Sequence, residues 1–257
     1  MRTFLEISGV DKSRLLAIVL LSLLGLVSCA LPASMPPTST TQIDWVNFIR
    51  FGGITYLTST FHAGRLLQAS DLGPQFATVR FKLEGHVQDP HYQARDGDAA
   101  FLYTGTRIYA MKGFKPTFRL TAYVNHNVLL FEADTNPKAK IGADLLDIGG
   151  KVNYIGVNSN QDGTTELAAI KNPKQVAQLV AMVLSAPVDQ TRVSQGGPQY
   201  FLAFHLKDGT VVIRAYWLNS GDLTRGILLP KAFGSVVAHA LSQNHTDFPL
   251  QAPFNQG

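Results

Sequence analysis

The chain reads as mainly β plus α+β: a small β barrel- or sandwich-like unit followed by an antiparallel sheet covered by two helices. Three observations predict this. Short runs of alternating apolar and polar residues, separated by Gly, Asn, Asp and Pro turn signals, fill residues 43–135. A second set of such runs, over 145–243, is interrupted twice by segments of helical periodicity. Hydrophobic residues make up 46% of the 257, enough to bury a sizeable core and to exclude a disordered chain.

The N-terminal segment is a different kind of sequence. Arg2, Lys12 and Arg14 stand against Glu6 and Asp11 in residues 1–14. Leu15 to Val27 then form an apolar run of about 13 residues. That suits a signal-peptide core, whereas a spanning helix needs roughly 20 residues. The run closes on Leu26-Val27-Ser28-Cys29. This resembles the bacterial lipobox, in which an aliphatic residue, a spacer and a small residue precede a cysteine. The resemblance implies a signal peptide over 1–28, cleaved before Cys29. It also implies that Cys29 carries a diacylglycerol thioether, often with an acylated amine. The protein would then sit on the extracytoplasmic face of the cell membrane, its membrane partner reached through lipidated Cys29. Two or three acyl chains anchor stably where one is marginal. Ala30 follows, and in a two-membrane envelope the absence of Asp there permits outer-membrane sorting. The alternatives are an uncleaved anchor, or a signal cut elsewhere that leaves Cys29 a free thiol. Cys29 is the sole cysteine, so no internal disulfide and no Cys-based metal site can form. Residues 29–42 are rich in Pro, Ser and Thr and read as a tether.

In the first unit, 43–135, strands are expected at Ile43 to Ile49, Ile54 to Thr58, Phe76 to Leu83, Ala100 to Tyr103, Arg107 to Met111, Phe118 to Val124 and Val128 to Glu132. If His126-Asn127 is the tight turn, Val124 faces Leu129, Ala122 faces Phe131, Thr121 faces Glu132 and Arg119 faces Asp134. Apolar then meets apolar on one face and polar meets polar on the other. Two groups here could carry chemistry. His86 and His91 with Asp89 could grip a metal from a loop, but spacing fixes no third strong ligand. Asp96 and Asp98 flank Gly97, and Asp-Gly is itself a turn signal.

Residues 136–144 are polar and turn-rich and read as a linker. The second unit, 145–243, opens with strands at Leu145 to Val157 and Glu166 to Ile170. Between them Asn158, Asn160, Asp162 and Gly163 mimic a calcium loop. Ala169 stands where the bidentate Glu belongs, and the flanks are strands, so a hairpin loop is expected. Asn172 can cap and Pro173 can start a helix. Val176, Leu179, Val180, Val183 and Leu184 then form one apolar stripe, stopped by Pro187. Tyr200 to Lys207 and Thr210 to Leu218 flank Asp208-Gly209 as a hairpin. With those two residues as the turn, Tyr200 pairs Trp217, Leu202 pairs Ala215, Phe204 pairs Ile213 and Leu206 pairs Val211, an apolar face for the helices. The other face carries Phe201 with Tyr216, Ala203 with Arg214, and His205 with Val212. A short strand is expected at Gly226 to Leu229. A last helix starts near Pro230 with Phe233, Val236, Val237, Ala240 and Leu241 inward, and 244–257 is a loose tail.

The run Glu166 to Lys174, the helix after it and the Tyr200 to Trp217 hairpin resemble small domains of uncharacterised lipoproteins of Gram-positive bacteria. That resemblance covers about 80 residues and implies an α+β fold and an extracytoplasmic address. It carries no catalytic residues across.

The net charge of +4 is scattered, with no Lys/Arg block, so nucleic-acid binding is not expected. The exported part has no Gly-x-Ser-x-Gly elbow, no His-Glu-x-x-His, no Ser-x-x-Lys and no phosphate-cradling Gly loop. No cofactor or metal is called for. The expectation is therefore a non-enzymatic binding or interaction module of the cell envelope, for an unknown protein or small ligand. Phe201, His205, Arg214 and Tyr216 are its candidate binding residues. The competing expectation is an envelope-acting hydrolase whose site is assembled from the loops holding His86, His91, Asp96 and Asp98.

Overall fold

The computed structural model describes residues 43–59, 65–192 and 197–244. The expected signal peptide, Cys29, the tether and residues 245–257 of the tail lie outside the described residues. Mainly β structure with two helices is what the chain forms, on two sheets that belong to one compact unit.

The first sheet is curled and has eight strands: β1 (Phe48–Phe51), β2 (Ile54–Thr58), β3 (Leu72–Thr78), β4 (Phe81–Lys82), β5 (Asp98–Ala99), β6 (Arg107–Met111), β7 (Arg119–Val124) and β8 (Asn127–Thr135). Their order is β3-β6-β7-β8-β2-β1-β5-β4, antiparallel except for β4 with β5. Ile49, Tyr56, Ile108, Leu120 and Phe131 fill its core. The expected run Phe76 to Leu83 divides in two. Val79 turns its N–H to Thr106, and β4 resumes at Phe81. No strand forms at Ala100 to Tyr103, where Ala100 to Leu102 are bends.

The β7–β8 hairpin corrects the expected register by two residues. Asn125 and His126 are the turn, at φ 49° and 65°, the double left-handed geometry of a type I′ turn. Val124 therefore pairs Asn127, Ala122 pairs Leu129, Leu120 pairs Phe131 and Arg119 pairs Glu132. A two-residue shift keeps every side chain on its expected face. It changes the partner of Arg119 from Asp134 to Glu132.

The second sheet has six strands: β9 (Val152–Asn158), β10 (Glu166–Ile170), β11 (Gln199–Leu206), β12 (Val211–Trp217), β13 (Asp222–Leu223) and β14 (Ile227–Leu228). They run in the order β10-β9-β11-β12-β13-β14. Helix α1 (Pro173–Ser185) and helix α2 (Lys231–Asn244) pack on it. Asn172 caps α1 as expected, its Oδ1 accepting from the backbone of Lys174 and Gln175 at 3.1 Å each. Val176, Leu179, Val180 and Val183 are buried beneath α1, each contributing about 1.5–3 kcal/mol. Phe233 and Val237 do the same from α2. The expected strand at Leu145 is instead an irregular crossing. Leu145, Leu146 and Ile148 are buried in the same core without pairing, and β9 begins only at Val152. Just before it, Gly142 presses against the end of α1. A Cβ there would lie 1.9 Å from the carbonyl oxygen of Val183.

The two sheets are tied together by charge. Arg119 is fully buried and stacks near Phe114 and Phe118, 4.6 and 5.1 Å from their ring centres. Its guanidinium donates to Glu132 Oε1 at 2.6 and 3.0 Å, and to Thr210 Oγ1 at 2.8 Å on the far sheet. Arg214 of β12 donates to the other oxygen, Glu132 Oε2, at 3.0 Å.

Candidate functional site

The site is built by the β11–β12 hairpin. Its loop holds three residues rather than two. Leu206 N–H bonds Thr210 O at 2.8 Å, Gly209 N–H bonds Leu206 O at 3.0 Å, and Gly209 sits at φ 82°. This is the turn-plus-bulge closure that needs Gly in the left-handed region. The extra residue slips the register by one. Tyr200 pairs Tyr216, Phe201 pairs Ala215, Ala203 pairs Ile213 and His205 pairs Val211. A slip of one exchanges the faces of a whole strand.

The slip separates the four predicted residues. Tyr216 turns into the helix-facing core, where it is fully buried with its ring 5.5 Å from that of Phe233. Burial pushes its hydroxyl up to about 12. Phe201 and His205 stay on the outer face with Val211, Ile213 and Ala215. Arg214 is not free, because it neutralises Glu132.

Two spaces open on this side of the sheet. The larger is a cleft of about 300 Å³ where β2 and β8 meet β11 and β12. Phe201, Arg214, Arg225, Glu132, Asp134 and Thr58 are among its walls. Arg225, at φ 75°, pairs with Asp134. Burial would by itself push the Glu132 carboxyl up. The charges of Arg119 and Arg214 and their hydrogen bonds outweigh it and hold the group below the usual carboxylate range. Across the cluster three guanidinium groups thus meet two carboxylates, leaving one positive charge in excess, although Arg119, fully buried, does not itself line the cleft. Burial also lowers Arg225 from its ordinary value. The hydroxyl of Thr58 is buried without a partner.

The smaller space, about 90 Å³, is lined in part by Ala203 and by Asn158, Glu166 and His205, whose polar atoms gather about Gly156 on β9. A bulge at Leu167 lets Glu166 pair with Asn158 while Ala168 pairs with Val157, so Glu166 joins Asn158 on the outer face. Phe201 flanks Asn158 on the other side. The next row is Ala169, Gly156 and Ala203, all small, which leaves a trough. A point one Cβ bond above Gly156 lies 2.8 Å from Glu166 Oε2, 3.1 Å from Asn158 Oδ1 and 3.4 Å from His205 Nε2. His205 stacks on Tyr154 with ring centres 4.0 Å apart and planes 7° from parallel. Burial lowers its imidazole below the ordinary value, favouring the neutral ring. Asn158 is 5% exposed. Its amide donates to Gly163 O at 2.9 Å, which fixes Oδ1 over Gly156, where it has no partner.

Asn158, Glu166 and the carboxylates of Glu132 and Asp134 escape sequence reasoning as site residues. The signal was partly visible, since Asn158 opens the loop that mimics a calcium site and Glu166 follows it. That loop is closed as expected by Asp162, whose carboxylate accepts from Thr165 and from the backbone of Thr164 and Thr165 and is pulled down to about 2.

The groups of the competing expectation are engaged locally. Asp96 accepts from Gly53 N at 2.9 Å. Asp98 is buried and accepts from the Tyr92 hydroxyl and from Arg95 N. His86 Nδ1 lies 3.2 Å from its neighbour's Glu84 carbonyl, and His91 is exposed. Among the described residues, no group of three or more His, Cys, Asp or Glu side chains gathers.

The fold and its trough define a two-sheet β protein with a ligand-sized cleft beside a small polar pocket. No family model, curated protein or solved structure matches the chain.

Proposed function

We propose that this chain is an extracytoplasmic lipoprotein, held to the cell membrane through lipidated Cys29. Its body is a non-enzymatic binding module of the envelope, and the cleft beside Phe201 is its ligand surface. The observation that carries the binding reading is the state of the cleft's charges. Glu132 is shared by two guanidinium groups and Asp134 is held by Arg225, so neither carboxylate is poised as a base. What remains is the net positive charge of the cluster, carried behind the cleft by buried Arg119, with Arg214 and Arg225 lining the cleft beside Phe201. That combination suits an anionic group carried on an apolar or aromatic body.

The test is thermal unfolding of the detergent-solubilised full chain against small aromatic carboxylates, with inorganic phosphate as the non-aromatic control. An upward shift with the aromatic acids, lost in Phe201→Ala, is expected. No shift with any of them in the wild-type chain would overturn the assignment of the cleft.

A further inference from the structure

We infer that the pocket over Gly156 is a binding site for a divalent first-row transition-metal ion of the zinc class, ligated by His205 Nε2, Glu166 Oε2 and Asn158 Oδ1. The inference does not rest on the anion reading of the cleft, because the two spaces share only Ile213 among their lining residues.

Four features converge on a metal. The first is the donor set. One imidazole nitrogen, one carboxylate oxygen and one amide oxygen form a mixed nitrogen–oxygen set that suits ions of this class. The second is geometry. All three atoms lie within 3.4 Å of a single point. His205 Nε2 and Glu166 Oε2 are 4.0 Å apart. Ligand atoms around a tetrahedral zinc ion stand about 3.4 Å apart, given metal–ligand distances of about 2.1 Å. Closing that gap takes only small rotations of two half-exposed side chains. The third is Asn158. A buried carbonyl oxygen with no partner is costly, by about 1–3 kcal/mol, and here its orientation is locked by the bond from its own amide to Gly163. The fourth is space. Gly156 lacks the methyl group that would project between the three donors and narrow the space above them. The pocket of about 90 Å³ has room for an ion and one or two waters, at roughly 30 Å³ per water. It is too small for most organic ligands. Three protein ligands with an open position describe an exchangeable site rather than a closed structural one.

Gly156 supplies an unusual control. Its φ is not in the left-handed region, so alanine is tolerated by the backbone. In Gly156→Ala all three ligands remain, and a methyl group projects into the space between them. The methyl meets the far end of the Glu166 side chain, which is 37% exposed and can swing away.

The experiment is calorimetric titration of Zn²⁺ into the metal-stripped, detergent-solubilised full chain, with circular dichroism on each variant. One site per chain is expected. Gly156→Ala and Glu166→Gln should each weaken it by more than the roughly 10- to 100-fold that follows loss of an outer partner. Both variants should keep the wild-type spectrum. Equal Zn²⁺ binding by wild type and both variants would place the ion on exposed histidines such as His86, His91, His126 or His239 and overturn the inference. No Zn²⁺ binding by the wild type would overturn it as well. Should Gly156→Ala lose its fold, Glu166→Gln alone decides, since it keeps the size and shape of the native side chain.

Discussion

Replacing Glu132 with Gln should unlock the two sheets. In the wild type one carboxylate serves Arg119 through Oε1 and Arg214 through Oε2. Arg119 is fully buried, so it cannot recover water when its partner goes. Removing one member of a buried pair leaves an uncompensated charge, at about 3–5 kcal/mol. The amide oxygen of Gln keeps one weak acceptor, which places the variant toward the lower end. For a body of this size, about 2–4 °C is lost per kcal/mol, so Tm should fall by roughly 6–15 °C. Urea unfolding followed by circular dichroism gives the free energy directly. The pH dependence gives a second, independent reading. The folded-state carboxyl lies below its ordinary value, so the stabilisation is fully present above the unfolded-state range near pH ~4.3. It is lost as pH falls through the folded-state value. The wild type should therefore lose stability on acidification more steeply than Glu132→Gln, and the two curves should converge at low pH. A loss below about 1 kcal/mol at neutral pH, with parallel acid limbs, would refute the interlock.

Two further substitutions probe the frame around the site. Gly142→Ala places a methyl group 1.9 Å from the Val183 carbonyl oxygen, so backbone must move. A loss of about 1–3 kcal/mol in urea unfolding is expected, and an unchanged midpoint would contradict the close approach of that turn to α1. Tyr216→Phe removes a buried hydroxyl that has no partner. It should be neutral or slightly stabilising, and binding in the Phe201 cleft should be unaffected. A loss of ligand affinity in this variant would put Tyr216 back on the outer face and contradict the observed register.

How much of this was legible in the sequence follows from the range of each interaction. Helix α1 was fully readable, because its cap, its proline and its stripe are all local. The hairpins were readable as hairpins but not in register. At β7–β8 the turn slid by one residue and the pairing by two, since Asn125-His126 and His126-Asn127 both look like turns and either keeps apolar against apolar. At β11–β12 the loop took Lys207 as well as Asp208 and Gly209, and every side chain of β12 changed face. Asp-Gly is the strongest two-residue signal, yet a left-handed Gly also closes the three-residue loop. Leu145 to Ile148 read as a strand because burial without pairing has no periodic mark. The pocket over Gly156 depends on the Leu167 bulge, and a bulge is invisible to alternation until the partner strand is known. Phe201 and His205 were found because alternation along a single strand survives a shift of its neighbour. The Arg119–Glu132–Arg214 bridge joins residues up to 95 apart, the interval from 119 to 214, and no short-range pattern announces it.

The reading of the whole chain stands on Cys29. The direct measurement is intact mass and N-terminal analysis of the chain recovered from membranes of the cells that make it, beside Cys29→Ala. A mature chain beginning at Cys29, heavier by a diacylglyceryl group, with Cys29→Ala unlipidated and released from the membrane, is the predicted result. A wild-type chain that keeps residues 1–28 and an unmodified thiol, or a Cys29→Ala chain that partitions wholly with membranes, would contradict it.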